Sequence, residues 1–120
     1  MSTVTIFHNP NCSTSKYAVG VADDLGVDHE VVKYMLKAER PTREQLTDLV
    51  GKLQDPTTDL VRRDANFTKL GLTDADVETP EQVIDILVEH PALLQRPILV
   101  KGDVAIVGRP KDRVPVFLGD

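Results

Sequence analysis

Cys12 is the only cysteine of the chain, and its surroundings favour a reactive thiol. The stretch from Thr5 to Ser15 reads TIFHNPNCSTS, and it opens with a β-branched and aromatic run that is typical of a strand. From Ser13 onward, apolar side chains recur at helical spacing. Cys12 is therefore predicted to lie between the first strand and the first helix, where unpaired N–H groups and positive potential favour a thiolate. A thiol in such a position has a pKa below the usual value of about 8.5.

His8 and Ser15 are the two side chains predicted to assist this thiol. Ser15 follows Cys12 by three positions and can donate a hydroxyl hydrogen bond to the sulfur. His8 ends the predicted strand and adds positive charge when it is protonated. The alternative is a buried cysteine that packs as a small hydrophobe, beside a structural histidine. The position between a strand and a helix favours the reactive thiol.

Arginines form the second group of candidates. Arg62 and Arg63 lie in DLVRRD, Arg96 precedes a proline in LQRPILV, and Arg109 precedes another in VGRP. A guanidinium is a rigid fork of donors that suits a tetrahedral oxyanion, although each arginine alone is better explained by a solvated charge or a salt-bridge partner. Arg96 and Arg109 flank a predicted hairpin, so they should be neighbours. Two such charges need an anion between them, or a carboxylate such as Asp112.

The elements that must position these residues follow the order β-α-β-α-(α)-α-β-β-α. Strands are predicted at Thr3–Phe7, Glu30–Met35, 97–100 and 104–107. Helices are predicted at Ser13–Leu25, 42–53, 79–90 and within 111–118. The last helix is expected to begin late, because Pro115 fits badly in a helix interior. The order predicts an α/β fold, a small mixed sheet flanked by helices, with the helices of about 41–90 as an insert.

The bulk properties exclude several classes of protein. The 120 residues fit one domain, 1–120, and the net charge of −5 argues against a nucleic-acid partner. No apolar run approaches the roughly 20 residues of a membrane span, and no secretory signal is recognised. A single cysteine cannot form an internal disulfide, so a cytoplasmic location is expected. No metal-ligand spacing is present, and the lack of heptads or a long exposed apolar strand predicts a monomer.

Taken together, four stretches of the chain resemble the arsenate reductases of the glutaredoxin-coupled type. They are IFHNPNCSTS, LVRRDANFTKLGL, EHPALLQRPILV and VGRP, which occur in the order and at about the spacing of that family. The resemblance implies a thioredoxin-like fold with an inserted helical segment. It also implies that Cys12 is the nucleophile, accompanied by His8, and that Pro97 is the cis-proline that faces the active cysteine.

The resemblance further implies a substrate site and a reaction. The family arginines fall on Arg62, Arg96 and Arg109, with Arg62 favoured over Arg63. The loop residues expected to assist them in holding arsenate are Asn11, Ser13 and Thr14. The thiolate would attack arsenic and release water. No second cysteine exists to resolve the adduct, so an external small thiol such as glutathione and a glutaredoxin-like protein would complete the cycle, with no bound cofactor.

Two other functions remain open from the sequence. A monothiol reductase of disulfides would need Cys12 but no cluster of arginines. A regulator that binds bacterial RNA polymerase is the second alternative, and members with a redox switch carry a Cys-x-x-Cys pair in this loop. Here Ser15 occupies the position of the second cysteine, which argues against that switch.

Overall fold

The computed structural model describes residues 3–119, and within that range four short strands form one mixed sheet. The strands are β1 (Val4–Phe7), β2 (His29–Val32), β3 (Ile98–Lys101) and β4 (Val104–Val107). Their order across the sheet is β2-β1-β3-β4. β1 runs parallel to β2 and antiparallel to β3, while β3 and β4 form the predicted hairpin. The hairpin turn contains Gly102 at φ 62°, a conformation that glycine adopts without steric cost.

Helices surround this sheet. They are α1 (Ser13–Leu25), α2 (Arg43–Lys52), α3 (Ala65–Lys69), α4 (Pro80–Glu89) and α5 (Arg113–Gly119). Short 3₁₀ turns lie at Lys37–Glu39, Thr57–Leu60, Asp74–Val77 and Pro91–Leu93. The ends follow local sequence signals: Gly26 closes α1 at φ 67°, and capping boxes at Thr42 and Thr79 open α2 and α4. In the described part of the chain, no helix is long and apolar enough to cross a bilayer.

Each face of the sheet buries its own hydrophobic core, because successive strand residues point to opposite faces. The core shared with α1 and α5 includes Val4, Ile6, Leu99, Ala18 and Val114. The core on the other face includes Ile98, Val107, Leu46, Val83 and Tyr34. The segment 41–90 supplies much of that second core, so it covers the face of the sheet that α1 and α5 leave open. The mixed sheet flanked by helices confirms the predicted fold class.

The predicted end of the second strand is wrong, whereas the closing helix begins late in its predicted stretch, as Pro115 led us to expect. The second strand ends at Val32, and the chain then turns so that Tyr34 enters the core beneath the sheet edge. The closing helix begins at Arg113, ahead of Pro115. Pro115 therefore lies in the first turn, where a missing N–H breaks no hydrogen bond within the helix.

The register of the sheet brings distant parts of the sequence to one edge. Phe7, the last residue of β1, pairs with Ile98, the first residue of β3, and Ile98 pairs with Val107, the last residue of β4. The loop that leads to Cys12 follows β1, Arg96 and Pro97 directly precede β3, and Arg109 and Pro110 come after β4, separated from it by Gly108. The candidate residues of the N-terminal and C-terminal segments therefore meet at this edge.

Candidate active site

Cys12 is the N-cap residue of α1, with φ −105° and ψ 123°. Its carbonyl accepts the first hydrogen bond of the helix from the N–H of Lys16, at 3.0 Å. The loop before it is shaped by the buried Asn9, whose Oδ1 accepts from the N–H of Asn11 at 2.9 Å and whose carbonyl accepts from the N–H of Cys12 at 3.0 Å. Asn9 was not predicted from the sequence as a residue of the site. An Asn–Pro pair after a strand is nevertheless typical of a turn that Asn closes with its side chain.

The pKa of the Cys12 thiol lies below its usual value, as predicted. Burial is the largest influence and by itself raises this pKa. Hydrogen bonds from the backbone N–H groups of Ser15 and Thr14 lower the pKa, and so do the guanidiniums of Arg96 and Arg109. Arg109 Nη2 donates to the sulfur across 3.3 Å. These contacts together outweigh burial, and the loop therefore stabilises the thiolate, which is the nucleophilic form.

The side chain of Ser15 contacts His8 and not the cysteine sulfur. Its Oγ lies 3.0 Å from His8 Nδ1 and accepts a hydrogen bond from the N–H of Asn9, also at 3.0 Å. The predicted hydrogen bond from the Ser15 hydroxyl to the sulfur is therefore wrong. The backbone N–H of Ser15 reaches the sulfur instead, because the first turn of a helix aims its free N–H groups toward the N-cap residue.

His8 is the neutral partner of this serine near pH 7. Burial lowers the pKa of His8, and the positive charges of Lys33 and Lys16 lower it further. The hydrogen bond with Ser15 raises this pKa but offsets only part of the lowering. The positive charge that the sequence analysis expected from a protonated His8 is therefore absent at neutral pH. The buried imidazole contributes to the site by ordering the loop through its contact with Ser15.

Arg96 and Arg109 are neighbours at the open end of the β3–β4 hairpin, which confirms the prediction from the hairpin pattern. Arg109 Nε donates to the carbonyl of Arg96 at 2.7 Å. The N–H of Gly108 donates to the carbonyl of Pro97 at 2.8 Å and holds the two segments together. The Arg96–Pro97 peptide bond is cis, the isomer predicted, and the bond between Arg109 and Pro110 is cis as well, which was not predicted.

The carboxylate suggested to balance these charges, Asp112, is exposed and does not do so. Among residues 3–119, no carboxylate forms an ion pair with either arginine of the hairpin. The acidic partner nearby is Asp55, which pairs with Arg113 at 3.0 Å and accepts from the N–H of Val107 at 2.9 Å. Arg113 in turn donates to the carbonyl of Arg109 at 3.4 Å. The Asp55–Arg113 pair thus supports the backbone at Arg109 without neutralising the guanidinium of Arg109.

Arg62 and Arg63 have different surroundings. The guanidinium of Arg63 is already hydrogen-bonded to nearby residues: Nε donates to Asp74 at 2.8 Å, and Nη1 donates to the carbonyl of Thr58 at 3.1 Å. The buried Nε of Arg62 has no hydrogen-bond partner within the described residues. Asp64 Oδ2 lies 3.5 Å from that nitrogen without the geometry of a hydrogen bond. Of the two arginines, Arg62 is therefore the one that retains capacity for an anion.

Arg62 and Arg109 line a common pocket of about 160 Å³, together with Arg63, Asp64 and Gln95. One water takes about 30 Å³ in the liquid, so this volume accommodates a group of several non-hydrogen atoms. Arg109 also contacts the Cys12 sulfur and so connects the pocket with the thiol, which does not itself line the pocket. A larger pocket of about 370 Å³ lies beside α2 and includes no residue of this cluster.

The structure thus brings together the thiol and the three predicted arginines, but not every loop residue. The N–H of Thr14 contacts the sulfur, whereas Asn11 and Ser13 are exposed and have no side-chain contact with an arginine in residues 3–119. Their role toward a substrate stays a prediction. Tyr34, which is buried close to this cluster, was not predicted from the sequence as a site residue. Within the same range, no group of three or more potential metal ligands is present.

A mixed sheet with an activated cysteine at the start of its first helix, and a cis-proline directly before its third strand, defines a thioredoxin-like protein with a single cysteine. The model of the ArsC family matches residues 7–117, and the chain belongs to that family.

Individual relatives of this chain agree with the family assignment. The chain is 33% identical to an arsenate reductase of Neisseria meningitidis over 120 residues, which cover 98% of this chain and 100% of that protein. It is 32% identical to an Escherichia coli arsenate reductase over 121 residues, covering 100% of this chain and 84% of that protein. The solved structure of an arsenate reductase from Vibrio cholerae matches with a TM-score of 0.82 and 28% identity, covering 98% of each chain. These comparisons confirm both the predicted family resemblance and the fold.

Proposed function

We propose that this protein reduces arsenate to arsenite, with the thiolate of Cys12 as the nucleophile. The observation that carries the proposal is the contact of 3.3 Å between the Cys12 sulfur and Arg109, a guanidinium that has no carboxylate partner in the described part of the chain. A reactive sulfur beside uncompensated positive charge suits an electrophile that is itself an anion. The arsenate reductases among the similar proteins support arsenate as that anion.

The three arginines provide the binding site for the oxyanion. Arg96 and Arg109 come from the two ends of the hairpin, and Arg62 lines a pocket with Arg109, its Nε paired with Asp64 at 3.5 Å but without a hydrogen bond. Guanidinium groups donate paired hydrogen bonds to oxyanions and keep their charge at all relevant pH values. Their combined charge offsets the repulsion between a thiolate and an anionic substrate. Asn11, Ser13 and Thr14 complete the loop side of this site in the proposal.

The first chemical step forms a bond between sulfur and arsenic. The Cys12 sulfur attacks arsenic, one arsenate oxygen leaves as water after taking up two protons, and arsenic stays in its +5 state. The arginines stabilise the negative charge that the remaining oxygens carry during this exchange. Arg109 has a second function, because it lowers the pKa of Cys12 and so raises the fraction of thiolate.

Reduction requires a second thiol, because the chain has no other cysteine. A small external thiol, glutathione or an equivalent, attacks the Cys12 sulfur, and the electron pair of the sulfur–arsenic bond passes to arsenic. Arsenite is released and a mixed disulfide remains on Cys12. A glutaredoxin-like protein then restores the thiol by thiol–disulfide exchange.

The test is the rate of Cys12 alkylation by iodoacetamide as a function of pH, with and without arsenate. Because the folded site lowers the pKa of Cys12, the rate should reach half its maximum below the usual value of about 8.5. Arsenate should slow the alkylation by occupying the pocket beside the sulfur. A midpoint at the usual pKa would contradict the activated thiol, and a lowered midpoint that ignores arsenate would favour the disulfide reductase.

Variants separate the arginine cluster from general charge effects. Arg109→Ala should lower kcat/KM for arsenate by about 10²-fold, the loss typical of removing one donor to a reacting oxyanion. The matched control is Arg40→Ala, which removes an exposed arginine of the same charge outside the cluster. Equal activities of both variants would contradict the proposed anion site, and retained turnover in Cys12→Ser would contradict the nucleophile.

A further inference from the structure

Tyr34 is a fully buried polar side chain that the proposed reaction does not use. Its side chain is 0% exposed and lies in the turn that follows β2. Its hydroxyl donates a hydrogen bond to the carbonyl of Leu94, at 3.3 Å. A phenylalanine would fill this part of the core without a polar atom, so the hydroxyl calls for an explanation beyond packing.

Leu94, which accepts this hydrogen bond, lies where two backbone segments pair side by side. Leu94 forms an isolated antiparallel bridge with Val61, and a backbone hydrogen bond of 2.7 Å flanks the bridge on each side. Arg62 follows Val61 directly, and Arg96 comes two residues after Leu94. The segments that carry two of the three arginines are therefore joined to each other at the point that Tyr34 holds.

The hydroxyl also lies among the charges of the site. Burial raises the pKa of Tyr34, while the positive charges of Arg96 and Arg62 lower it in part. Within residues 3–119, the buried Nε atoms of Arg62 and Arg96 have no hydrogen-bond partner. Arg96 Nη1 donates to the carbonyl of Ala92 at 3.3 Å. The guanidinium of Arg96 is thus held by the carbonyl of Ala92, two residues before the Leu94 carbonyl that accepts from Tyr34.

We propose that Tyr34 is a positioning residue of the oxyanion site. Through Leu94 it holds the two paired arginine segments together, and it thereby orients the guanidinium of Arg96 toward the thiol. The inference deepens the proposed function and rests on it for the identity of the anion. Tyr34 does not touch the substrate, because it is wholly inaccessible to solvent. Its effect is on anion affinity, since guanidiniums held in place lose less freedom when the anion binds.

The test compares Tyr34→Phe with Tyr17→Phe, the same change at the only other tyrosine of the chain. Tyr17 is 37% exposed, and its ring contacts Lys111, which the loss of a hydroxyl leaves in place. The readout is the arsenate concentration that halves the rate of Cys12 alkylation. We expect this concentration to rise about tenfold in Tyr34→Phe, as for the loss of one buried hydrogen bond, and to stay unchanged in Tyr17→Phe.

A purely structural hydroxyl would give a different result. It would lower the urea midpoint of Tyr34→Phe and leave the half-protecting arsenate concentration as in the unaltered chain, which would overturn the inference. If arsenate fails to protect even the unaltered chain, the proposed function fails. The positioning role is then decided by the guanidinium NMR signals of Arg96, which should broaden in Tyr34→Phe and not in Tyr17→Phe.

The unaltered chain offers a second measurement that does not depend on a variant folding. The hydroxyl proton of Tyr34 should exchange slowly with water, because it is buried and donated to Leu94. It should also show a nuclear Overhauser effect to the guanidinium protons of Arg96. A hydroxyl proton that exchanges as fast as that of Tyr17, or one without contact to Arg96, would overturn the positioning role.

Discussion

Replacing Gly108 by alanine should damage the active-site edge of the sheet selectively. A Cβ atom at this position would lie 2.7 Å from Cγ of Pro97, 3.3 Å from the Pro97 carbonyl oxygen and 3.3 Å from Cγ2 of Val114. Carbon atoms pack at about 3.5–4.0 Å, so the proline ring must move by roughly 1 Å. The ring is buried and the two residues are joined by a backbone hydrogen bond of 2.8 Å, so the shift must part the hairpin ends.

The size of the effect follows from the cost of overpacking. Inserting a methyl group into a well-packed interior costs about 1–3 kcal/mol, and weakening the Gly108–Pro97 hydrogen bond adds about 1 kcal/mol. Gly108→Ala should therefore lower the free energy of unfolding by about 2–4 kcal/mol. Because Arg96 and Arg109 adjoin these two residues, the same shift should separate the guanidiniums and weaken protection of the thiol by arsenate.

The assay is urea unfolding followed by circular dichroism, with Gly51→Ala as the control. Gly51 lies in α2, and a Cβ atom there would meet nothing within 4 Å. In an exposed helix this substitution should stabilise the protein by about 0.5–1 kcal/mol, the opposite sign. The reasoning would be refuted if Gly108→Ala unfolded at the same urea concentration as the unaltered chain or at a higher one.

Two further predictions concern the surroundings of the site. Asp55→Asn should lower the free energy of unfolding by about 1–3 kcal/mol, because it breaks the pair with Arg113, whereas the exposed Asp112→Asn should change it by less than about 0.5 kcal/mol. Equal urea midpoints for the two variants would contradict this bracing role. His8 has a pKa below its unfolded value of about 6.5, so its contribution to stability is complete above that pH and declines as the pH falls below it. The difference in unfolding free energy between pH 7.5 and 5.5 should accordingly be smaller in His8→Gln, and an identical difference in both proteins would contradict the shift.

Local patterns were sufficient to predict most elements and the position of the thiol. Strand and helix periodicity placed Cys12 at a helix start, and the hairpin pattern alone made neighbours of Arg96 and Arg109. The same patterns misassigned Tyr34 to a strand, because a β-branched run with a tyrosine gives no sign of where the chain turns. Its burial depends on the second core, which exists only after residues far apart have packed.

Side-chain partners were harder to predict than elements. A serine three positions after a cysteine suggests a contact with the sulfur, yet the hydroxyl bonds to His8, seven residues before it, because the loop folds back. The pair of Asp55 and Arg113 spans 58 positions and has no local signal at all. Such side-chain pairs depend on how whole helices and strands pack against one another. The periodicity of a single sequence does not predict that packing.

The contact between Cys12 and Arg109 joins residues 97 positions apart, so the surroundings of the thiol change while the chain is being synthesised. A growing chain exposes Cys12 at the ribosome long before Arg96 and Arg109 have been translated. Until the hairpin docks beside the first strand, the cysteine lacks the two guanidiniums that lower its pKa, and it remains closer to an ordinary thiol. Full reactivity arises only when the C-terminal segment is in place, so the newborn protein is less open to unwanted oxidation and alkylation than the finished one.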